Sequence, residues 1–195
     1  MTVVRSNYER KANDLYETEE WATEALLRHF PVAGMRVWEP AAGNHKMADV
    51  LRKSGAGFVL TSDITTYSRP HFEEFDFIHA EETRVYGYYR DRSWPDAIIT
   101  NPPFGKGGRD AVRFVELALE RCDGIVAMLL PDVFDFGKTR THLFRDNPRF
   151  TSKINLIDRI QWFPGKFGNT QNHAWYVWCN KGKISPNLYY EGKKP

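Results

Sequence analysis

Residues 97–104 read Ala-Ile-Ile-Thr-Asn-Pro-Pro-Phe, a short apolar run that stops at an asparagine and two prolines. A run of this length and composition is typical of a strand that is buried on both faces. Proline lacks a backbone N–H and restricts the residue before it, so the strand has to end next to Asn101. Strands buried on both faces belong to parallel sheets with helices on either side.

The segments on both sides of this strand alternate between strand and helix patterns. Further strands are predicted at 35–38, 58–61, 124–130, 154–163 and 174–179, with a weaker one ending at 75–77. Helices are predicted at 19–30, 46–53 and 110–121, with a short one at 139–145. Such alternation implies parallel pairing through right-handed crossovers. The last two strands have no helix between them and are expected to pair antiparallel.

The sequence therefore predicts an α/β fold. We expect a doubly wound, mostly parallel seven-stranded sheet with an antiparallel C-terminal strand pair. A length of 195 residues favours a single domain that spans residues 1–195.

Composition excludes several classes of protein. The two cysteines, Cys122 and Cys179, lack CxxC spacing, which excludes a cysteine-rich zinc site and argues against a disulfide framework. His45, His142 and His173 form no HxxxH pattern, so we expect no metal. No apolar run approaches the length of a membrane span and the N-terminus has no signal-like apolar region. A cytoplasmic protein that does not bind a membrane is expected.

Charge is distributed unevenly along the chain. Residues 1–100 carry 12 Lys and Arg against 16 Asp and Glu, whereas residues 101–195 carry 15 against 9. The loop at 135–153 contains five basic residues: Lys138, Arg140, Arg145, Arg149 and Lys153. A basic half of this kind can face a polyanion such as nucleic acid. A solvated charged surface explains the same pattern equally well.

Three polar stretches follow predicted strands. They are Glu-Pro-Ala-Ala-Gly-Asn at 39–44, Ser-Asp at 62–63 and Asn-Pro-Pro-Phe at 101–104. In doubly wound sheets, ligands bind beyond the carboxyl ends of the strands. The three stretches are therefore expected to lie on one rim and to form a ligand site.

The first two stretches suit a nucleoside. A small turn that contains Gly43 lets the backbone approach a ligand, and the helix that follows offers free N–H groups. Asp63 lies about 20 residues further on, where a carboxylate can accept hydrogen bonds from both hydroxyls of a ribose. Alternatively, Asp63 caps a helix.

The third stretch suits chemistry on an amino group. The carbonyl of Pro102 has no strand partner, and it can converge with the side-chain oxygen of Asn101 on one NH2 group. During methyl transfer the nitrogen becomes tetrahedral and positively charged, and two acceptors stabilise that charge. Phe104 offers a flat face for a planar substrate.

These stretches resemble those of class I S-adenosylmethionine-dependent methyltransferases, especially the DNA N6-adenine methyltransferases, and the likeness covers residues 14–178. The resemblance implies that S-adenosylmethionine is bound by Tyr16, Thr18, Glu39, Pro40, Ala41, Gly43, Asp63, Ile64, Asp76, Phe77 and Asn101. It implies a catalytic motif made of Asn101, Pro102, Pro103 and Phe104. It implies that the substrate contacts Phe104, Lys138, Arg140, Phe163 and Lys166. His45 stands where the family's turn has its second glycine.

The resemblance also implies N6 of adenine in DNA as the target, in a compact enzyme of the kind that is frequent in phages. The chain ends about fifteen residues after its last predicted strand, so the target-recognition domain that normally follows has no room. Specificity is then left to the loops at 79–95 and 135–153 or to a separate specificity subunit.

Two alternatives stay open. The same chemistry serves RNA base amines and protein glutamine. The second alternative is a protein that binds the cofactor or a partner without catalysis. Such a protein has no physical need for Asn101 and Phe104.

Overall fold

A computed structural model describes residues 15–80, 95–162, 171–180 and 186–194. These residues form one eight-stranded sheet with the order β3-β2-β1-β4-β5-β7-β6-β8. The strands are β1 Arg36–Glu39, β2 Phe58–Asp63, β3 Glu73–Glu74, β4 Ala97–Thr100, β5 Ile125–Pro131, β6 Phe150–Leu156, β7 His173–Trp178 and β8 Asn187–Glu191. The α-helices are α1 Glu20–Leu27, α2 Lys46–Lys53 and α3 Arg109–Arg121.

The pairing of the strands confirms the predicted topology. Strands β3, β2, β1, β4 and β5 pair in parallel, and β7 pairs antiparallel with both β5 and β6. Since β7 reverses direction, the carboxyl ends of β5 and β6 lie on the same rim as those of β1, β2 and β4.

An eighth strand was not predicted. Strand β8 pairs in parallel with β6 at the edge of the sheet, and Leu188 and Tyr190 on it are exposed. An edge strand that is largely solvated carries no buried apolar pattern, and this explains why the sequence does not reveal it.

Several other predicted elements have different bounds. The weak strand predicted to end at 75–77 is β3, at Glu73–Glu74, and the helix predicted at 19–30 is α1, at Glu20–Leu27. Strand β6 covers Phe150–Leu156 and not 154–163. The prediction missed its first residues because Thr151 and Ser152 are buried but polar, and polar residues do not read as part of an apolar strand. The short helix predicted at 139–145 is a 3-10 turn at Lys138–Arg140 followed by turns. A helical segment this short has too few hydrogen bonds to form on its own.

Side chains alternate between the two faces of the sheet. On β5, Met128 and Leu130 pack on the side of α3, whereas Ala127 and Leu129 pack on the side of α1 and α2. Both layers are fully buried, as expected for a strand that reads as a continuous apolar run. The described helices include none that is long and apolar enough to cross a membrane.

Candidate active site

A cavity of about 440 Å³ opens at the rim where β1, β2 and β4 end. All the residues that the resemblance assigns to the cofactor line it: Tyr16, Thr18, Glu39, Pro40, Ala41, Gly43, Asp63, Ile64, Asp76, Phe77 and Asn101. The structure thus brings together five chain segments that are far apart in the sequence. A cavity of this size suits a ligand of nucleoside dimensions or larger.

The turn after β1 favours glycine at position 43. Gly43 has a φ of 49°, and a Cβ there would lie 2.8 Å from Cδ1 of Leu15. Its N–H donates a 2.8 Å hydrogen bond to Oδ2 of Asp63. The turn is therefore held against the end of β2, with its backbone on the cavity wall.

Asp63 fixes the turn at Gly43 and does not cap a helix, because no helix follows β2 before β3, a stretch that the structure describes in full. Its Oδ1 accepts from the N–H of Ile64 at 2.8 Å while Oδ2 holds Gly43. Burial raises the pKa of Asp63, and the N–H groups of Gly43, Ile64 and Thr65 act in the opposite direction. Each carboxylate oxygen has two lone pairs, so an Asp63 that fixes the turn can still accept from a ligand in the cavity.

Glu39 is buried at the end of β1, and burial raises its pKa well above the usual range. Its Oε2 has no hydrogen-bond partner among the described residues. A buried oxygen without a partner is costly, so this acid is suited to contact a polar group of a ligand in the cavity.

Asp76 sits on the opposite wall, after β3. Its carboxylate accepts from the N–H groups of Ile78 and His79 at 2.9 and 3.0 Å, and it contacts Nδ1 of His79 at 2.9 Å. Burial alone would raise the pKa of Asp76, but these hydrogen bonds bring it below the usual value. Asp76 is therefore held ionised and fixed in orientation.

Asn101 is anchored from one side only. Its Nδ2 donates a 3.2 Å hydrogen bond to the carbonyl oxygen of Tyr16, which orients the amide group. Its Oδ1 is buried and has no donor within hydrogen-bond distance in the described part of the chain. This leaves one oriented, unused acceptor on a residue of the cavity wall.

Phe104 lies near His173, which in turn contacts Trp162. The sequence singled out His173 only as a candidate metal ligand and did not single out Trp162. The ring centroids of Phe104 and His173 are 6.2 Å apart, and Trp162 meets His173 edge to face at 5.1 Å. Burial lowers the pKa of His173 to about 4, so this ring is neutral at physiological pH. Trp162 and His173 flank residues 163–172, and no local motif marked them.

The segment after Phe104 also borders the cavity, through Gly105, Lys106 and Asp110. The sequence could have indicated these residues, because they closely follow the Asn-Pro-Pro-Phe stretch. Gly105 has a φ of 61°, and a Cβ there would overlap the carboxylate of Asp110. Gly107, two residues on, has a φ of 69°, but a Cβ there would have no neighbouring atom within 4 Å.

We expect Gly105→Ala to lower the free energy of unfolding by about 2–3 kcal/mol, because it adds a steric overlap with Asp110 to the cost of a backbone at φ 61° and ψ −171°, a region that glycine populates. Gly107→Ala, at φ 69° and ψ 18°, carries only the smaller cost of the left-handed conformation, about 1 kcal/mol. Urea unfolding of the two variants measures the difference. Equal losses would show that neither the overlap with Asp110 nor the backbone conformation of Gly105 restricts this position.

Much of the basic loop at 135–153 is engaged within the protein. Arg149 donates to three backbone carbonyls near the end of α3, at 2.7–3.0 Å. Lys153 pairs with Asp135 at 3.0 Å, and Arg140 donates to the carbonyl of Phe134 at 2.8 Å. Arg149 and Lys153 are therefore structural, contrary to the interpretation that counted them as phosphate contacts.

Two basic residues of this loop, Lys138 and Arg145, remain exposed. Lys138 is exposed in its 3-10 turn, and Arg145 is exposed beside Asp146. Arg140 is half-buried. Its Nη2 lies so close to Gly108 that a Cβ added to this glycine would be 3.2 Å away. Phe163 and Lys166, which the resemblance assigns to the substrate, lie outside the described residues.

No model of a known protein family matches the chain, and no curated sequence matches it. Solved structures do match. A type I restriction-modification methyltransferase subunit from Streptococcus thermophilus superimposes with a TM-score of 0.59 at 13% identity, over 91% of this chain and 47% of that one. A modification subunit assigned to a type I restriction enzyme of Vibrio vulnificus gives 0.60 at 13% identity, over 91% and 47%.

A protein assigned as an RNA methyltransferase in Pyrococcus horikoshii gives a TM-score of 0.60 at 17% identity, over 89% of each chain. The chain spans about half the length of the two restriction-modification subunits. At these identities the likeness concerns the fold. The chain has the mostly parallel α/β fold, with an antiparallel C-terminal strand pair, that these methyltransferase structures share.

Proposed function

We propose that this chain is an S-adenosylmethionine-dependent methyltransferase that acts on an exocyclic amino group. The observation that carries the proposal is the state of Asn101. Its amide nitrogen is held by the Tyr16 carbonyl, and its oxygen is oriented, buried and unpartnered among the described residues. An acceptor held in this way is prepared for a donor from outside the protein.

The cavity walls fit the proposed cofactor. The ionised Asp76 is suited to accept from the amino group of an adenosine, and the carboxylate of Asp63 is suited to accept from its hydroxyl groups. Because Gly43 has no side chain, the backbone of the turn can approach the cofactor closely. The orphaned Oε2 of buried Glu39 is a further polar partner. When bound, S-adenosylmethionine supplies an electrophilic methyl group.

In the proposed reaction, Oδ1 of Asn101 and the carbonyl of Pro102 accept the two N–H groups of the substrate amine. This directs the nitrogen lone pair towards the methyl group and stabilises the positive charge that develops on nitrogen. This nitrogen would accept the methyl group from the sulfur of S-adenosylmethionine, and the N–H proton released by the substrate would leave to water. The Phe104 ring, braced by His173, is the stacking surface for the planar substrate.

We propose N6 of adenine in DNA as the target. Lys106 at the cavity and the exposed Lys138 are available for phosphate groups. Two of the structural neighbours are restriction-modification subunits by name, which supports DNA and a separate specificity subunit as partners. An adenine in duplex DNA would have to be flipped out to reach Asn101.

The test is incubation with methyl-labelled S-adenosylmethionine and pools of DNA, RNA and protein, followed by nucleoside analysis. We expect label in N6-methyladenine of DNA. Label confined to RNA or to protein glutamine would overturn the DNA target but keep the chemistry. A protein that binds the cofactor and labels none of the pools, alone or with cell extract as a source of a specificity subunit, would favour the non-catalytic alternative.

A further inference from the structure

His45 adopts a backbone conformation that side chains disfavour. Its φ is 66° and its ψ 19°, and it is the only non-glycine residue with a positive φ in the described ranges. Such a conformation costs about 1 kcal/mol for a residue with a Cβ. The ring is nevertheless buried, with 4% of the residue exposed. A histidine at this glycine-like position therefore needs a compensating interaction.

A hydrogen-bond chain supplies that interaction. Nε2 of His45 lies 2.9 Å from Nδ1 of His71, and Nε2 of His71 lies 3.2 Å from the carbonyl oxygen of Thr65. Because a carbonyl only accepts, His71 donates from Nε2 to Thr65. In the tautomer that leaves the lone pair on Nδ1 of His71, His45 donates to it from Nε2.

This chain of hydrogen bonds joins two segments that line the cavity. His71 belongs to the segment 64–72 between β2 and β3, from which Ile64 and Tyr67 line the cavity. His45 follows Gly43 and Asn44, which line it from the other side. Neither histidine lines the cavity itself.

Two further links run parallel to the histidine chain. Oδ1 of Asn44 accepts from the N–H and the hydroxyl of Ser68, at 3.0 and 2.6 Å. Arg69 pairs with Asp49 of α2. Both of these links are exposed, whereas the histidine link is largely shielded from solvent. A shielded hydrogen bond competes less with water and contributes more to holding the segment.

We propose that His45 and His71 are positioning residues that fasten the segment 64–72 to the glycine turn, and that protonation of the buried His45 ring releases it. The bound ligand whose affinity they control is S-adenosylmethionine, and to that extent the inference rests on the proposed function. A proton on His45 places an uncompensated charge in a buried site.

The charges around the pair set the direction of the pH effect. Burial, followed by His71, Arg69 and Arg52, lowers the pKa of His45 to about 4, and Asp49 acts in the opposite direction. Asp63 and Glu74 face His71. In an open segment His45 regains its ordinary pKa of 6.5. The closed state binds fewer protons than the open state between these values, so closure is favoured above them and is lost as pH falls through this window.

The experiment is calorimetric titration of the full chain with S-adenosylmethionine between about pH 7.5 and pH 5. Four proteins are compared: wild type, His45→Gly, His71→Ala and His71→Asn. His71→Asn keeps an acceptor oxygen near the place of Nδ1 but does not titrate in this range. At neutral pH we expect His45→Gly and His71→Ala to bind about fivefold more weakly than wild type, the equivalent of one hydrogen bond, and His71→Asn to bind like wild type.

Below pH 6.5 the wild-type affinity should fall by up to about tenfold per pH unit, whereas that of His45→Gly, which lacks the buried ring, should follow only the titration of the ligand. Equal pH slopes for wild type and His45→Gly would overturn the inference, as would wild-type affinity in His45→Gly at neutral pH. Wild-type protein that binds no S-adenosylmethionine at any pH would instead overturn the proposed function. Circular dichroism verifies that each variant is folded. If His45→Gly is not folded, the neutral-pH comparison of His71→Ala with His71→Asn keeps the test valid, and equal affinity of these two variants would overturn the inference.

Discussion

Asn101→Ala is expected to lower kcat by about 10²–10³-fold, the usual effect of removing one group that stabilises charge in a transition state. The variant loses the oriented Oδ1 acceptor. In the proposed reaction this would leave the substrate amine with a single acceptor, the carbonyl of Pro102. The variant also loses the hydrogen bond to the carbonyl of Tyr16, a residue of the cavity wall, so cofactor affinity should change by no more than one weak hydrogen bond, about threefold.

Single-turnover rates with labelled cofactor and cofactor titration separate the two effects. Asn155→Ala, which removes a half-buried asparagine on β6, is the matched control and should keep wild-type kcat. Full activity in Asn101→Ala would overturn the proposed catalytic centre. Lost activity together with lost cofactor binding would mean that Asn101 acts mainly as an anchor for Tyr16.

Trp38→Ala is expected to lower the free energy of unfolding by about 3–5 kcal/mol, the range for deleting a large buried aromatic side chain. Trp38 is fully buried on β1 and its Nε1 donates to Oγ of Ser62 at 2.9 Å. Its ring meets Phe77 edge to face at 5.2 Å and lies 6.1 Å from Phe75. Because Phe75 and Phe77 line the cavity, the variant should also bind the cofactor more weakly.

Urea unfolding monitored by circular dichroism measures this loss. Trp38→Phe keeps most of the volume and loses the bond to Ser62, so it should cost about 1–2 kcal/mol. Phe58→Ala, at a 40% exposed position on β2, is the control and should cost less than about 1 kcal/mol. A loss below that level in Trp38→Ala would show that the aromatic layer under the cavity repacks freely.

Where local signals agreed, the sequence predicted elements to the residue. Helix α2 and strand β4 have the predicted bounds, 46–53 and 97–100. Helical periodicity that ends before Gly55 defines the first, and an apolar run that ends at Asn101 defines the second. Strand β8 was missed because its residues are mostly solvated, and β6 was displaced because buried Thr151 and Ser152 do not read as core.

The sequence also predicted one part of the candidate site and could not predict another. All the residues assigned to the cofactor line one cavity, since the carboxyl ends of adjacent parallel strands necessarily meet at one rim. The sequence could not tell which basic residues of the loop at 135–153 were free. Arg149 is engaged by carbonyls of a turn that lies 25–30 residues away in the chain.

The sequence by itself determined the order of the strands and helices up to β7, and with it the parallel part of the sheet, its rim and the residue types gathered there. Only the tertiary structure decided which polar atoms are already occupied. The amide of Asn101 meets the Tyr16 carbonyl across 85 residues, and this contact leaves its oxygen unpartnered among the described residues. His45 meets His71 across 26 residues. Local periodicity reports which face of an element is buried, whereas such pairings depend on how separate segments pack against one another.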